Sequence, residues 1–77
     1  MTDTNISTIL EIVLRIGGLA HIDPDADYFE AGVTSVQSLP LLLELEDRFQ
    51  VSIPDDQFIH TRTVRGLAKL VESLTNR

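Results

Sequence analysis

The stretch Thr34–Phe49, TSVQSLPLLLELEDRF, decides the fold. Its apolar positions Val36, Leu39, Leu42, Leu43 and Phe49 recur at helical spacing, with Leu41 and Leu45 beside them, which predicts an amphipathic helix packed through that face. Thr34 and Gln37 stand three residues apart ahead of the leucines, as in a capping box: the threonine oxygen accepts from a first-turn amide and the glutamine reaches back to the cap. Ser35 then becomes the first helical residue, with its hydroxyl beside the cap and free to point outward. Pro40, a turn further on, lacks an amide hydrogen and crowds the preceding turn, at about 3 kcal/mol in a helix interior. A kink or an irregular first turn is expected there.

Upstream, Ile6, Ile9, Leu10, Val13 and Ile16 mark a first helix over Asn5–Ile16, with Asp3 and Thr4 as possible caps and Gly17 and Gly18 as its stop; Ile12 and Leu14 fall off that stripe. Gly17 to Val33 has no sustained period, contains Pro24, and exceeds the roughly 4–6 residues of most connections, so it reads as a long ordered loop. Ile22, Tyr28, Phe29 and Val33 are its expected anchors, since their burial offsets the entropy of fixing so much backbone. Downstream, Val51, Ile53 and Pro54 form an extended link. Asp55–Ile59 makes one turn, with Pro54 and the aspartates suited to its start and Phe58 and Ile59 returning to the core. A last helix over Val64–Leu74 is capped by Thr63 and buries Val64, Leu67, Ala68, Val71 and Leu74. With no strand-like alternation and no internal repeat, the expected fold is all-α. It is a small four-helix bundle with a long loop between the first two helices and a short third helix, one domain over residues 1–77.

The net charge of -6, with 6 basic residues against 12 acidic ones, argues against nucleic acid and favours basic partners. Asp23, Asp25, Asp27 and Glu30 lie in the loop without a basic neighbour in sequence, while Arg62, Arg65, Lys69 and Arg77 concentrate positive charge near the carboxyl end. The absence of cysteine excludes disulfides and thiolate metal sites. No apolar run approaches the roughly 20 residues of a membrane span, and the first residues do not resemble a signal peptide, so the cytoplasm is the expected compartment.

A nucleophilic Ser35 would need a base and an orienting acid, and the two histidines, His21 and His60, sit in undistinguished contexts, so no catalytic residue is assigned. Taken alone, Ser35 is simply a favourable residue for a helix start. Asp23, Asp25 and Asp27 alternate like the first ligands of a calcium loop, but Tyr28 occupies the glycine position and Thr34 the bidentate glutamate position, so no metal site is assigned. Glu44, Glu46, Asp47, Asp55 and Asp56 are either a solvated face or an acidic strip that attracts arginine- and lysine-bearing enzymes. The docking residues expected are Gln37, Leu41, Glu44, Asp47, Asp55 and Asp56.

Taken together, the pattern resembles the acyl carrier protein family, including its aminoacyl and peptidyl carriers. The likeness covers nearly the whole chain: a first helix, a loop ending in Tyr28, Phe29, Glu30, Ala31 and Gly32, a serine opening a leucine-rich helix that runs into Glu44–Phe49, then Val51–Asp55 and a closing helix. The resemblance implies that Ser35, flanked by Thr34 and Val36, receives 4'-phosphopantetheine from coenzyme A through a phosphopantetheinyl transferase. It further implies a non-catalytic, monomeric carrier of thioester-bound cargo, loaded by an acyl or aminoacyl ligase or an acyltransferase and unloaded by a downstream synthase or transferase. Leu39, Leu43, Ile59 and Val64 are the implied neighbours of a short acyl group, against a plain core role for each. Two departures from the family pattern stand out: Thr34 and Val36 replace the usual aspartate or histidine and leucine around the serine, and Pro40 and Gln37 replace charge on the recognition helix. They favour a specialised carrier, for an amino acid or a secondary-metabolite acyl unit, over a housekeeping fatty-acid carrier, and the ends of the chain favour a freestanding one. An unmodified, carrier-like interaction module is the alternative from another class.

Overall fold

A computed structural model describes residues 2–75, with side chains from Thr4 onward. The helices in chain order are α1 (Thr2–Gly17), α2 (Tyr28–Ala31), α3 (Ser35–Phe49), α4 (Asp55–Ile59) and α5 (Val64–Thr75), and there is no strand among the described residues. Helix α1 starts earlier than its apolar stripe suggested, so Thr4 lies inside the helix and does not precede it. The side chain of Asp3 and all of Arg77 fall outside the described residues.

Helix α1 packs against α5 and α3. Ile9, Ile12 and Val13 meet Leu41, Leu42 and Leu45 of α3 and Val64, Leu67, Ala68 and Val71 of α5 in one core, which Ile22, Tyr28, Val33, Ile53 and Phe58 complete. Ile12, which the sequence set off the inner stripe, is among the most buried residues. No helix of the described residues is long and apolar enough to cross a membrane.

The face that α3 buries differs from expectation. At about 100° per residue, Leu41 and Leu45 lie roughly opposite Val36 and Leu43. The core takes the first pair, leaving Val36, Leu39 and Leu43 at 82, 60 and 55% exposure. Leucines surround this helix, so periodicity defined two candidate stripes and tertiary contact with α1 and α5 selected one. Helix α3 continues through Pro40. Pro40 and Val36 are both on the solvent side, where water can serve the Val36 carbonyl that has lost its amide partner. Ile59, expected in the core beside Phe58, is 62% exposed.

The long loop contains a fifth helical turn that the sequence reading missed. The Asp27 carboxylate accepts from the amides of Phe29 and Glu30 at 2.8 and 3.2 Å and so starts α2. Gly32, at φ 134°, ends it in a conformation closed to most side chains and turns the chain toward α3. The turn is clasped to the α4–α5 connection. Tyr28, fully buried, donates its hydroxyl to the Thr61 carbonyl at 2.7 Å and its amide to the Arg62 carbonyl at 3.0 Å. The Arg65 amide donates to the Pro24 carbonyl at 3.0 Å.

Nor are the loop carboxylates all without cations. Arg62 Nε donates to Asp27 at 2.5 Å, and Arg65 Nε and Nη2 donate to Asp25 at 2.6 and 3.3 Å. These guanidiniums hold both carboxyls below the usual carboxylate range, helped at Asp27 by its two amide donors. Burial, with the Asp27 charge nearby, pushes the Tyr28 hydroxyl far above its ordinary value.

Replacing Tyr28 with Phe leaves the Thr61 carbonyl without its donor and should cost about 1–3 kcal/mol, read from urea unfolding. Because the folded-state pKa values of Asp25 and Asp27 are depressed, the stability they contribute is present above the unfolded carboxylate value of about 3.9 and is lost as the pH falls through the lower folded values. Asp25→Asn/Asp27→Asn should therefore flatten the acid limb of the stability curve below about pH 4; an acid limb identical to that of the parent protein would show that these pairs do not shape it.

Candidate functional site

Thr34 is the extended N-cap of α3, at φ −92° and ψ 163°. Its Oγ1 accepts from the Gln37 amide at 3.2 Å, while Gln37 Oε1 accepts from the Thr34 amide at 2.9 Å, completing the expected capping box. Gln37 therefore has its side-chain oxygen committed locally, whatever else it touches. Ser35 follows as the first helical residue, exposed, and its hydroxyl makes no hydrogen bond among the described residues. Ser38 Oγ donates to the Ser35 carbonyl at 2.6 Å, bracing the same turn from within.

Ser35 lies on the rim of an open groove of about 460 Å3 lined by Phe29, Val33, Ser38, Phe58, Ile59 and Arg62. The Arg62 guanidinium carbon sits 4.8 Å above the centre of the Phe29 ring, and that ring packs at 4.9 Å against Tyr28. A smaller depression of about 220 Å3 adjoins it between α3 and α4, lined by Leu39, Leu42, Asp55, Phe58 and Ile59 among others. A further hollow of about 500 Å3, between the end of α3 and the end of α5, lies away from Ser35 and has no charged residue among the described residues that line it.

Chemically, the site offers an accessible hydroxyl with no histidine, aspartate or glutamate hydrogen-bonded to it among the described residues. His60 is exposed, with Nδ1 2.7 Å from the Asp56 carbonyl, and His21 is also exposed; neither hydrogen-bonds to Ser35. No group of three or more histidine, aspartate or glutamate side chains capable of holding a metal occurs among the described residues. The surroundings instead suit an anionic substituent. Amides of a helix's first turn have no intrahelical acceptor, the helix dipole is positive there, and Arg62 lines the adjoining groove. A phosphodiester on Ser35 fits these residues.

The expected docking residues separate into groups. Asp47, Asp55 and Asp56 are exposed and form no ion pair among the described residues. Glu44 pairs with Arg15 of α1 at 3.0 Å, which offsets its charge. Glu46 turns inward, its carboxylate accepting from the Ile53 amide at 2.8 Å, and so fixes the link after α3. Leu41 corrects the sequence reading: it is fully buried, facing α1 and α5, and is not available to a partner. Of the implied cargo neighbours, Leu39, Leu43 and Ile59 are exposed and Val64 is core. The sequence reading missed Arg62 and Phe29 as groove residues. The Asp27–Arg62 contact joins positions 35 residues apart, so no local pattern signals it.

The geometry agrees with comparison to known proteins. Residues 7–71 match the family described as a phosphopantetheine attachment site. An acyl carrier protein of Caulobacter vibrioides is 30% identical over 78 aligned positions, covering 91% of this chain and 99% of its own length. An aminoacyl carrier protein of Agrobacterium fabrum is 30% identical over 74, covering 84% of this chain and 89% of its own length. A nonribosomal peptide synthetase of Aspergillus flavus is 30% identical over 56 residues, which is 73% of this chain but 6% of that enzyme. With the attachment-site match spanning most of its length, the chain belongs to the acyl carrier protein family, whose phosphopantetheine-binding domain is the site of covalent 4'-phosphopantetheine attachment.

Proposed function

We propose that Ser35 is the attachment residue and that residues 1–77 act as one carrier unit, non-catalytic in itself, working in the cytoplasm as a monomer. The observation that carries this reading is the exposed, unbonded hydroxyl at the capped start of α3. When bound, 4'-phosphopantetheine supplies a terminal thiol on which an acyl or aminoacyl cargo is held as a thioester, a thiol this cysteine-free chain does not itself have. The chain's own residues do the rest. Thr34 and Gln37 fix the helix start so that Ser35 Oγ is presented outward to the phosphopantetheinyl transferase.

Partners are the transferase, a ligase or acyltransferase that loads cargo, and a downstream synthase or transferase. They would dock on the outward stripe of α3, where Val36, Leu39 and Leu43 lead from Ser35 toward Asp47, with Ile59, Asp55 and Asp56 of α4 alongside. That surface is apolar near Ser35 and acidic further away. The apolar start, with Thr34 and Pro40 in place of charged residues, supports a specialised aminoacyl or secondary-metabolite carrier over a housekeeping fatty-acid carrier. The Agrobacterium relative, an aminoacyl carrier by name, is consistent with this, although the Caulobacter acyl carrier matches at the same identity.

Incubation with coenzyme A and a broad-range transferase should add the mass of one phosphopantetheine to the chain and none to Ser35→Ala. No gain, or an equal gain in the variant, refutes the assignment. For docking, Asp47→Lys should slow loading by a cognate enzyme at low salt and weaken its salt dependence, because rim charges act mainly on encounter. Leu43→Ser should slow loading about fivefold or more, as for loss of an interface contact worth at least 1 kcal/mol, without altering the salt dependence. Loading rates measured across ionic strength separate the two effects.

A further inference from the structure

Arg62 has so far been placed only as a positive charge in the groove that Ser35 borders, where it is the one charged residue among the described lining residues. Its guanidinium is held on two sides. Nε donates to the Asp27 carboxylate at 2.5 Å, and the central carbon lies over the Phe29 ring, 4.8 Å from the ring centre. Asp27 is itself fixed by the Phe29 and Glu30 amides, so the clamp is anchored to backbone and not to a second mobile side chain. The Asp27 contact uses Nε alone; the Nη groups have no hydrogen-bond partner among the described residues, and the side chain is 51% exposed. A guanidinium held through Nε and by its contact with the Phe29 ring still offers four Nη hydrogens in a planar fork, the geometry that matches two oxygens of a phosphate.

We infer that Arg62 is a binding residue for the phosphodiester on Ser35, donating from its Nη groups across the groove while Asp27 keeps Nε. The inference rests on the assignment of Ser35 above. Two properties follow from the placement. The first-turn amides of α3 and the Arg62 fork are separate donor sets, one on the helix start and one after α4, so together they would hold the root of the attached group even where its distal end is free. The same Arg62 backbone carbonyl accepts from Tyr28, so the residue that grips the phosphate also belongs to the clasp between the loop and the α4–α5 connection. The other cations of the clasp and of α1 are engaged elsewhere: Arg65 is bidentate to Asp25 and Arg15 pairs with Glu44.

The test uses the full chain before and after modification, with modification verified by intact mass. The arginine side-chain resonances and the phosphorus resonance are followed by NMR. On modification the Arg62 Nη signals should shift and their hydrogen exchange should slow roughly two- to fivefold, the range of an exposed ion pair. The phosphorus signal should move in Arg62→Gln but stay at the parent position in Arg15→Gln, which removes a guanidinium that pairs with Glu44 and does not line the groove. Identical Arg62 signals in modified and unmodified protein overturn the inference, as does a phosphorus signal that ignores Arg62→Gln. If Arg62→Gln fails to fold, the comparison of modified with unmodified parent protein decides alone. Absence of any mass gain overturns the Ser35 assignment together with this inference, whereas mass gain without the Arg62 response overturns only the latter.

Discussion

Burial of Tyr28 is the constraint on which the functional end of this molecule depends. The loop between α1 and α3 is too long to hold itself, and one aromatic ring, fully buried with its hydroxyl on the Thr61 carbonyl, turns it into part of the core. Everything near Ser35 follows from that placement. The Asp27-capped turn is pressed against the α4–α5 connection, Gly32 reverses the chain, and Thr34 arrives extended where it can cap α3. Ser35 is thus presented by a helix start that is fixed from behind by the loop and from within by the capping box.

The charge pattern acquires a different meaning in three dimensions. Asp25, Asp27 and Glu44 are matched by Arg65, Arg62 and Arg15, and Glu46 serves a backbone amide, so much of the acidity seen in the sequence stabilises or neutralises local structure. What faces outward beside Ser35 is a stripe of Val36, Leu39 and Leu43 with acid confined to Asp47, Asp55 and Asp56. Exposed apolar side chains that cluster in this way, rimmed by charge, are of the kind found in protein interaction surfaces. Proline is tolerable in this helix for the same reason: Pro40 occupies the solvent side, where the orphaned carbonyl can be hydrated.

The site was more legible in the sequence than the packing around it. The capping box is a local device, so Thr34, Gln37 and the exposure of Ser35 could be read from three neighbouring positions. The closing helix with its Thr63 cap and the Asp55–Ile59 turn were legible for the same reason. The inner face of α3 was not, because a helix with leucines on all sides carries two stripes of similar strength and only contact with α1 and α5 distinguishes them. This misassigned Leu41 to the surface and Leu39 and Leu43 to the interior. The α2 turn was hidden in a segment whose helical content rests on one aspartate cap. Arg62 was invisible as a site residue, since the groove it lines is assembled from the loop, α3 and the residues after α4.

The central claim is that Ser35 carries 4'-phosphopantetheine, and its most direct test is intact-mass analysis of the protein isolated from its native cell, followed by fragmentation to locate the added group. The account predicts an increment of one phosphopantetheine, alone or with its cargo, on the fragment containing Ser35. A chain that remains unmodified in the cell while its biosynthetic partners are active, or one modified at another residue, would contradict it.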